Sequence, residues 1–258
     1  VGFTATGEVD INSAISTNGG TFTSTGVASD NNGGTINAAA GSISITSNNN
    51  AIAAVITGNG GISLIPDADA TTIALNDSAG TFSLTATELG LLASSGTVTI
   101  GRSGAGSGAI NIGSVGAITL ASEGFNLSLI GASSNVVFNN GITLLTAGAM
   151  TFTIGSGTIL STGGAAADIT IAGTTGTILF TSSGAIGATG ARLLTAVDRL
   201  GASTISGDTF ITNDTTIAIT GAFTVGSNDF ILEAGSAGNI TQTAAITAAG
   251  LKLVTTSS

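Results

Sequence analysis

The sequence has no Cys, His, Trp or Tyr, a single Pro, and charged residues at only 7% of its 258 positions. Without Cys or His there is no disulfide framework, no thiolate or imidazole metal site, and no Ser-His-Asp or Cys-His nucleophile. Positive charge is also scarce: four Lys and Arg stand against fourteen Asp and Glu, a net charge of −10. With no basic run, nucleic acid is not an expected partner, and an anionic membrane surface is a poor one. Mean hydropathy is +0.57. Even so, Gly, Ser, Thr or Asn breaks every apolar run well short of the ~18 residues a spanning helix needs, so no membrane insertion is expected.

What the chain has instead is 40 Gly and 42% apolar residues, with Ser and Thr filling roughly a quarter of its positions. That apolar content suffices to offset chain entropy and exclude simple disorder. One unit recurs throughout: a small residue, then apolar and small polar residues in alternation. It appears as Gly41-Ser42-Ile43-Ser44-Ile45, Gly80-Thr81-Phe82-Ser83-Leu84, Gly96-Thr97-Val98-Thr99-Ile100, Gly116-Ala117-Ile118-Thr119-Leu120 and Ala167-Asp168-Ile169-Thr170-Ile171. Period two marks strands with one buried face. Asn18-Gly19, Asn32-Gly33, Asn59-Gly60 and Asn140-Gly141 supply turns, since both residue types tolerate positive φ.

Units return roughly every 8 to 10 residues, and alternate ones about 19 to 20 apart, as in Ile62 to Phe82, Val98 to Ile118, Ile118 to Val137 and Ile159 to Ile178. An antiparallel sandwich shares the shorter spacing, but it usually carries charged edges and Trp or Tyr. Stacking like on like explains this composition better: small residues fit a narrow interior, and charges are scarce because a ladder of like charges repels itself. The expectation is an all-β fold, a parallel β-helix or β-solenoid. It would form a single domain over 1–258, with roughly 12–13 coils of about 20 residues. Phe22, Phe82, Phe125, Phe138, Phe152, Phe180, Phe210, Phe223 and Phe230 would plug its interior. Two segments, Thr85–Leu92 and Arg192–Leu200, also fit short helices by 3.6-residue spacing.

The stretch from Gly235 to Leu251, with Gly238-Asn239-Ile240-Thr241-Gln242-Thr243 at its centre, resembles a coil of large bacterial surface exoproteins. So do Thr85-Ala86-Thr87-Glu88-Leu89 with Gly96–Gly101, and Thr195-Ala196-Val197-Asp198-Arg199-Leu200. The chain is similar to filamentous-haemagglutinin-type repeat proteins exported by two-partner secretion and to related β-strand-repeat surface proteins. The resemblance implies a right-handed β-helix outside the cell, serving as a rod in an adhesin, sheath or fibre. Host or neighbouring-cell surface glycans or proteins are its implied partners. No Asn-Pro-Asn-Gly element of the family's N-terminal secretion domain is present, so the chain corresponds to the shaft.

Candidate chemistry is thin. A β-helix can cleave polysaccharides with paired carboxylates, and Asp208 and Asp229, 21 apart, are the best pair. Asp67, Asp69, Asp198, Asp214 and Glu233 are the other candidates. Asp30-Asn31-Asn32-Gly33-Gly34 and Asp67-Ala68-Asp69 are rich in oxygen ligands, but neither has the spacing of a calcium loop, and turn chemistry accounts for them. Asn48-Asn49-Asn50 fits either a side-chain amide ladder or a loop, and the loop is the expectation. Asn76-Asp77-Ser78, Asn126-Leu127-Ser128, Asn213-Asp214-Thr215 and Asn239-Ile240-Thr241 match the glycosylation sequon as expected by chance. Thr-x-Thr pairs such as Thr21/Thr23, Thr97/Thr99 and Thr151/Thr153 suggest an ice-binding face, but their sequence spacing is too irregular for a flat array. No cofactor and no enzymatic activity are expected.

The ends are informative. Val1-Gly2-Phe3-Thr4 carries neither Met nor the basic and apolar regions of a signal peptide, so a chain cut from a longer precursor is expected. Neither end reads as a polar cap, and Gly7–Ser16 resembles Gly238–Thr247. The chain is then an excerpt of a longer rod, or it partners itself, stacking head to tail as a homopolymer. The expected assembly interface is Val9, Ile11 and Ile15 at one end and Ile240, Ile246, Leu251 and Leu253 at the other.

Overall fold

The computed structural model describes residues 1–120, 124–145, 148–162, 164, 166–235 and 238–255. Apart from a one-turn helix, Ala86–Leu89, its named elements are all strands. The longest sheet has eleven: Gly2–Thr4, Phe22–Thr25, Ile43–Thr46, Ile62–Ile65, Thr97–Gly101, Asn126–Ile130, Ala149–Thr153, Thr177–Ser182, Arg199–Leu200, Ile217–Ile219 and Ile240–Gln242, in that order. Every pairing within it is parallel. A seven-stranded parallel sheet, beginning at Ile118–Leu120 and ending at Gly250–Thr255, and four shorter sheets take up the chain between visits to the first.

Alternation decides which side chains are buried. In the long sheet, Phe22, Ile43, Ile62, Val98, Leu127, Met150, Ile178, Leu200 and Ile219 are register partners in sequence, all buried, forming one apolar column. Beside it runs a second, Ser24, Ile45, Leu64, Ile100, Leu129, Phe152 and Phe180. Phe152 stacks on Phe180 at 5.5 Å between ring centroids and meets Phe138 edge-on at 6.3 Å. Of the Phe residues expected inside, Phe22, Phe82, Phe125, Phe138, Phe152, Phe180, Phe223 and Phe230 are fully buried. Phe210 is the exception. Its register partner Ile231 is also half-buried, and both lie in the outward phase of their strands.

The step length varies. From Phe22 to Gln242, successive partners in the first column are 21, 19, 36, 29, 23, 28, 22, 19 and 23 residues apart. The longest sheet therefore has eleven strands among the described residues, where a constant step of about 20 residues, giving twelve or thirteen coils, would have put twelve or thirteen there. The pairings expected from constant spacing also fail. Ile62 stacks on Val98, Phe82 on Ile73, Ile118 on Ile142, and Ile159 on Val136. The two ambiguous segments divide: Ala86–Leu89 is helical, whereas Leu193–Ala196 and Arg199–Leu200 are strands. Thr85 caps the helix by accepting from Glu88 N, while Glu88 accepts from Thr85 N, a reciprocal pair that Arg192–Leu200 lacks.

Where the chain leaves one strand for the next, backbones approach closely. Gly155 has φ +60, and a Cβ there would sit 1.8 Å from Ala132 O; at Gly101, φ +121, it would sit 2.0 Å from Ile130 O. Any side chain at either position would force the stacked strands apart.

Candidate functional site

Three features of the stack bear on function: its two ends, the charged residues along its side, and its outer face. At the first end, Val9 and Ile11 are buried and Ile15 is half-buried; they line a cavity of about 260 Å³ with Phe3, Asp10, Asn12, Ser13 and Ala14. Phe3, absent from the sequence-based interface, is 42% exposed and lies 5.9 Å from Phe22 between ring centroids. Strand phase was the signal for it, since Phe3 pairs with buried Ser24. At the other end, Leu251 is 53% and Leu253 39% exposed, and Ile240 and Ile246 are half-buried. Leu251 ends the column Thr209–Phe230–Leu251, and Leu253 ends Leu193–Ile211–Leu232–Leu253. They are exposed because, among the described residues, no strand lies beyond Gly250–Thr255. The first column ends in exposed Gln242, whose Nε2 donates to Ala244 O.

Along the side, charged and amide groups hold the chain where it departs from the ladder. Asn48 Oδ1 accepts from Asp67 N, Ala68 N and Thr71 Oγ1, and the following residues, Asn49–Ala51, form a strand where a loop was expected. Arg102 pairs with Asp69 at 2.6 Å and donates to the Pro66 and Asp67 carbonyls. Glu88 Oε1 accepts from Ile52 N. Asp77, inside one of the sequon matches, accepts from Ala79 N, Ser114 N and Asn139 Nδ2. Burial alone would raise the Asp77 carboxyl, but these donors together with the Ser114 hydroxyl outweigh it and hold it below the usual range. Asp168, which looked like an ordinary strand start, is also buried. There burial prevails over the donors Leu194 N and Ser161 Oγ, and its carboxyl is raised.

Of the remaining acids, Asp198 accepts from Gly176 N, and Glu233 pairs with Arg192. Asp214 is exposed. Asp208 and Asp229 do come side by side, but both are exposed, and Asp208 Oδ1 accepts from the backbone N–H of Asp229 in the manner of a ladder bond. In the Asn-rich turn, Asn31 donates to Ala54 O and accepts from Ala53 N, while Asn32 donates to Asp30. Among the described residues there is no group of three or more acids that could hold a metal ion, and no helix is long and apolar enough to cross a membrane.

The outer face of the long sheet departs from expectation. Thr23, Ser44, Ser63, Thr99, Ser128 and Thr151 are register partners in one row, although their sequence spacing is irregular. The variable steps absorb that irregularity, so the spacing argument against an ordered array does not hold. None of these six hydroxyls has a hydrogen-bond partner among the described residues.

No family model matches the chain, and neither a curated protein nor a solved structure matches it.

Proposed function

We propose that the chain is a right-handed parallel β-solenoid acting as a structural rod outside the cell, which stacks head to tail into a filament or sheath. The observation that carries this reading is the apolar column from Phe22 to Ile219, which runs through nine strands of one sheet without a polar interruption. Such a column buries only neighbour against neighbour, the energetics of a one-dimensional stack. Several of the charges lie in turns or staples, among them Asp69, Asp77, Glu88, Arg102 and Asp198, where they serve the fold. The shaft of a secreted adhesin uses the same rod, with its ligand-binding part elsewhere, and a polysaccharide-acting enzyme ranks below both. Negative-stain electron microscopy of the purified 258-residue chain, with its mass measured before and after boiling in detergent, tests the proposal. Particles with a long axis of roughly 50 Å per subunit, from eleven strands about 4.8 Å apart, are expected, joined end to end and separable to the 24.5 kDa chain. Isotropic particles would overturn it.

A second reading rests on the hydroxyl row. Six hydroxyls at the inter-strand repeat, on an uncharged stretch of face, suit a regular lattice of water, so the same rod would bind ice. Inhibition of ice recrystallisation, lost on Ser63→Lys with Thr99→Lys, is the expected result; no inhibition by the parent chain would dismiss this reading.

A further inference from the structure

We infer that two copies of the chain pair side by side, joining the outer faces of their longest sheets in antiparallel fashion about a two-fold axis between Ser63 and Thr99. The inference rests on the rod reading above and supplies the lateral contact that a sheath needs. The first eight strands of that sheet, from Gly2–Thr4 to Thr177–Ser182, carry no charged residue, and Arg199 in the ninth is its only charge. Glu8, Asp10 and Asp30 lie in a three-stranded sheet, and Asp229, Glu233 and Lys252 in the seven-stranded one. For a chain of net charge −10, these eight strands are the longest stretch of sheet on which a second copy avoids like charge. Eight strands about 4.8 Å apart and about 14 Å long present roughly 500 Å² per copy. The pair then buries about 1,000 Å², the lower bound of a specific interface.

Side-chain size fixes the direction. The outward row Gly2, Thr23, Ser44, Ser63, Thr99, Ser128, Thr151 and Leu179 passes through the eight strands in register. Its six hydroxyls have no partner among the described residues. In the antiparallel pair Thr23 faces Thr151, Ser44 faces Ser128 and Ser63 faces Thr99, so each hydroxyl meets one from the other copy. Leu179, the one large side chain of the row, faces Gly2. Ile65, outward and half-buried, faces Gly101, which lies three positions beyond Val98 as Ile65 lies beyond Ile62. Ile130, the register partner of Gly101, faces the smaller Thr46. Faces built mainly of Ser and Thr can then approach more closely than the ~10 Å usual for stacked sheets, as in a dry zipper. A parallel pair sets Leu179 against Leu179 and brings both Arg199 to one level. Antiparallel pairing carries each Arg199 past the eight uncharged strands of the other copy. The pair buries the hydroxyl row that ice binding needs exposed.

Crosslinking of the 258-residue chain provides the test, because it has no cysteine of its own. Chains carrying Thr23→Cys, mixed with chains carrying Thr151→Cys, should give a covalent dimer with a short bismaleimide. Neither variant alone should, because like positions lie five strands, about 24 Å, apart across the axis. Head-to-tail stacking cannot mimic this result, since it leaves Thr23 and Thr151 of neighbouring copies six strands, about 29 Å, apart. In sedimentation velocity the parent should associate, and Ser44→Lys with Ser128→Lys should weaken association roughly tenfold with an unchanged circular dichroism melt. Mixing that chain with a Ser44→Asp/Ser128→Asp chain should restore dimers, which damage to the fold would not allow. No crosslink in the mixture, or a dimer from Thr23→Cys alone, would overturn the pairing, and elongated single particles would leave the rod reading standing. Isotropic particles would overturn the rod reading and the pairing with it.

Discussion

The short steps and the long step solve the same packing problem by different means. Between Phe22 and Ile62 the chain advances by 21 and 19 residues, and its turns are closed mostly by backbone bonds to the next strand, such as Ala38 N to Thr57 O. Between Ile62 and Val98 it takes 36 residues, spent on a strand pair at Ile73–Leu75 and Phe82–Leu84 and on the helix Ala86–Leu89. Here backbone laddering cannot reach every donor. Asn48, Asp77 and Glu88 do so instead, accepting backbone N–H groups from distant turns, while Arg102 donates to the Pro66 and Asp67 carbonyls and pairs with Asp69. The apolar columns run through both regions unchanged. Stacking therefore depends on the columns, and the scarce charges serve to fasten surplus chain.

That ordering can be broken by experiment. Phe152→Ala, in the second column, which runs through short and long steps alike, should cost the most, about 3–5 kcal/mol by urea denaturation. A loss no greater than that of a staple variant would refute the primacy of the columns. Asp77→Ala leaves donors from three segments without their acceptor and should cost about 2–4 kcal/mol. The effect should also depend on pH. Because the folded state holds the Asp77 carboxyl below its unfolded value, its contribution is present above the unfolded pKa and lost as pH falls through the folded one. The Asp77→Ala variant should accordingly lose less stability on acidification than the parent; parallel pH profiles would contradict this. Asp168 has the opposite sign. Its raised carboxyl favours folding most at low pH, and that contribution declines as pH rises through the folded value. Glu88→Ala removes a capping partner and the acceptor of Ile52 N, for about 1–2 kcal/mol by thermal melting. Arg102→Ala should be smallest, under about 1 kcal/mol, because that pair is 34% and 55% exposed.

The strands were legible in the sequence because alternation is local: Ile43-Ser44-Ile45 and Thr97-Val98-Thr99-Ile100 announce their own buried face. Their partners were not. A constant spacing of about 20 paired Ile62 with Phe82, whereas Phe82 lies inside the long step and stacks on Ile73. The same spacing did bring Asp208 next to Asp229, because the chain there advances in short steps. Of the residues chosen for the ends, Leu251 and Leu253 are exposed while Val9 and Ile11 already form part of the core; a pattern of apolar residues cannot distinguish the surface of a socket from its floor. The roles of Asp77 and Asp168 were not legible because nothing in Asn-Asp-Ser or Ala-Asp-Ile signals burial, which arises only when residues 62 and 26 positions further on arrive at their side.

The parallel ladder also has a mechanical meaning. Its backbone hydrogen bonds point along the direction in which strands succeed one another, so tension between the first and last strands loads them one row at a time, like a zipper opened from its end. A shearing load across the strands would engage a whole row at once. A tether pulled lengthwise should therefore give a series of small force peaks as successive steps peel away, with the largest extensions released by the 36-, 29- and 28-residue steps.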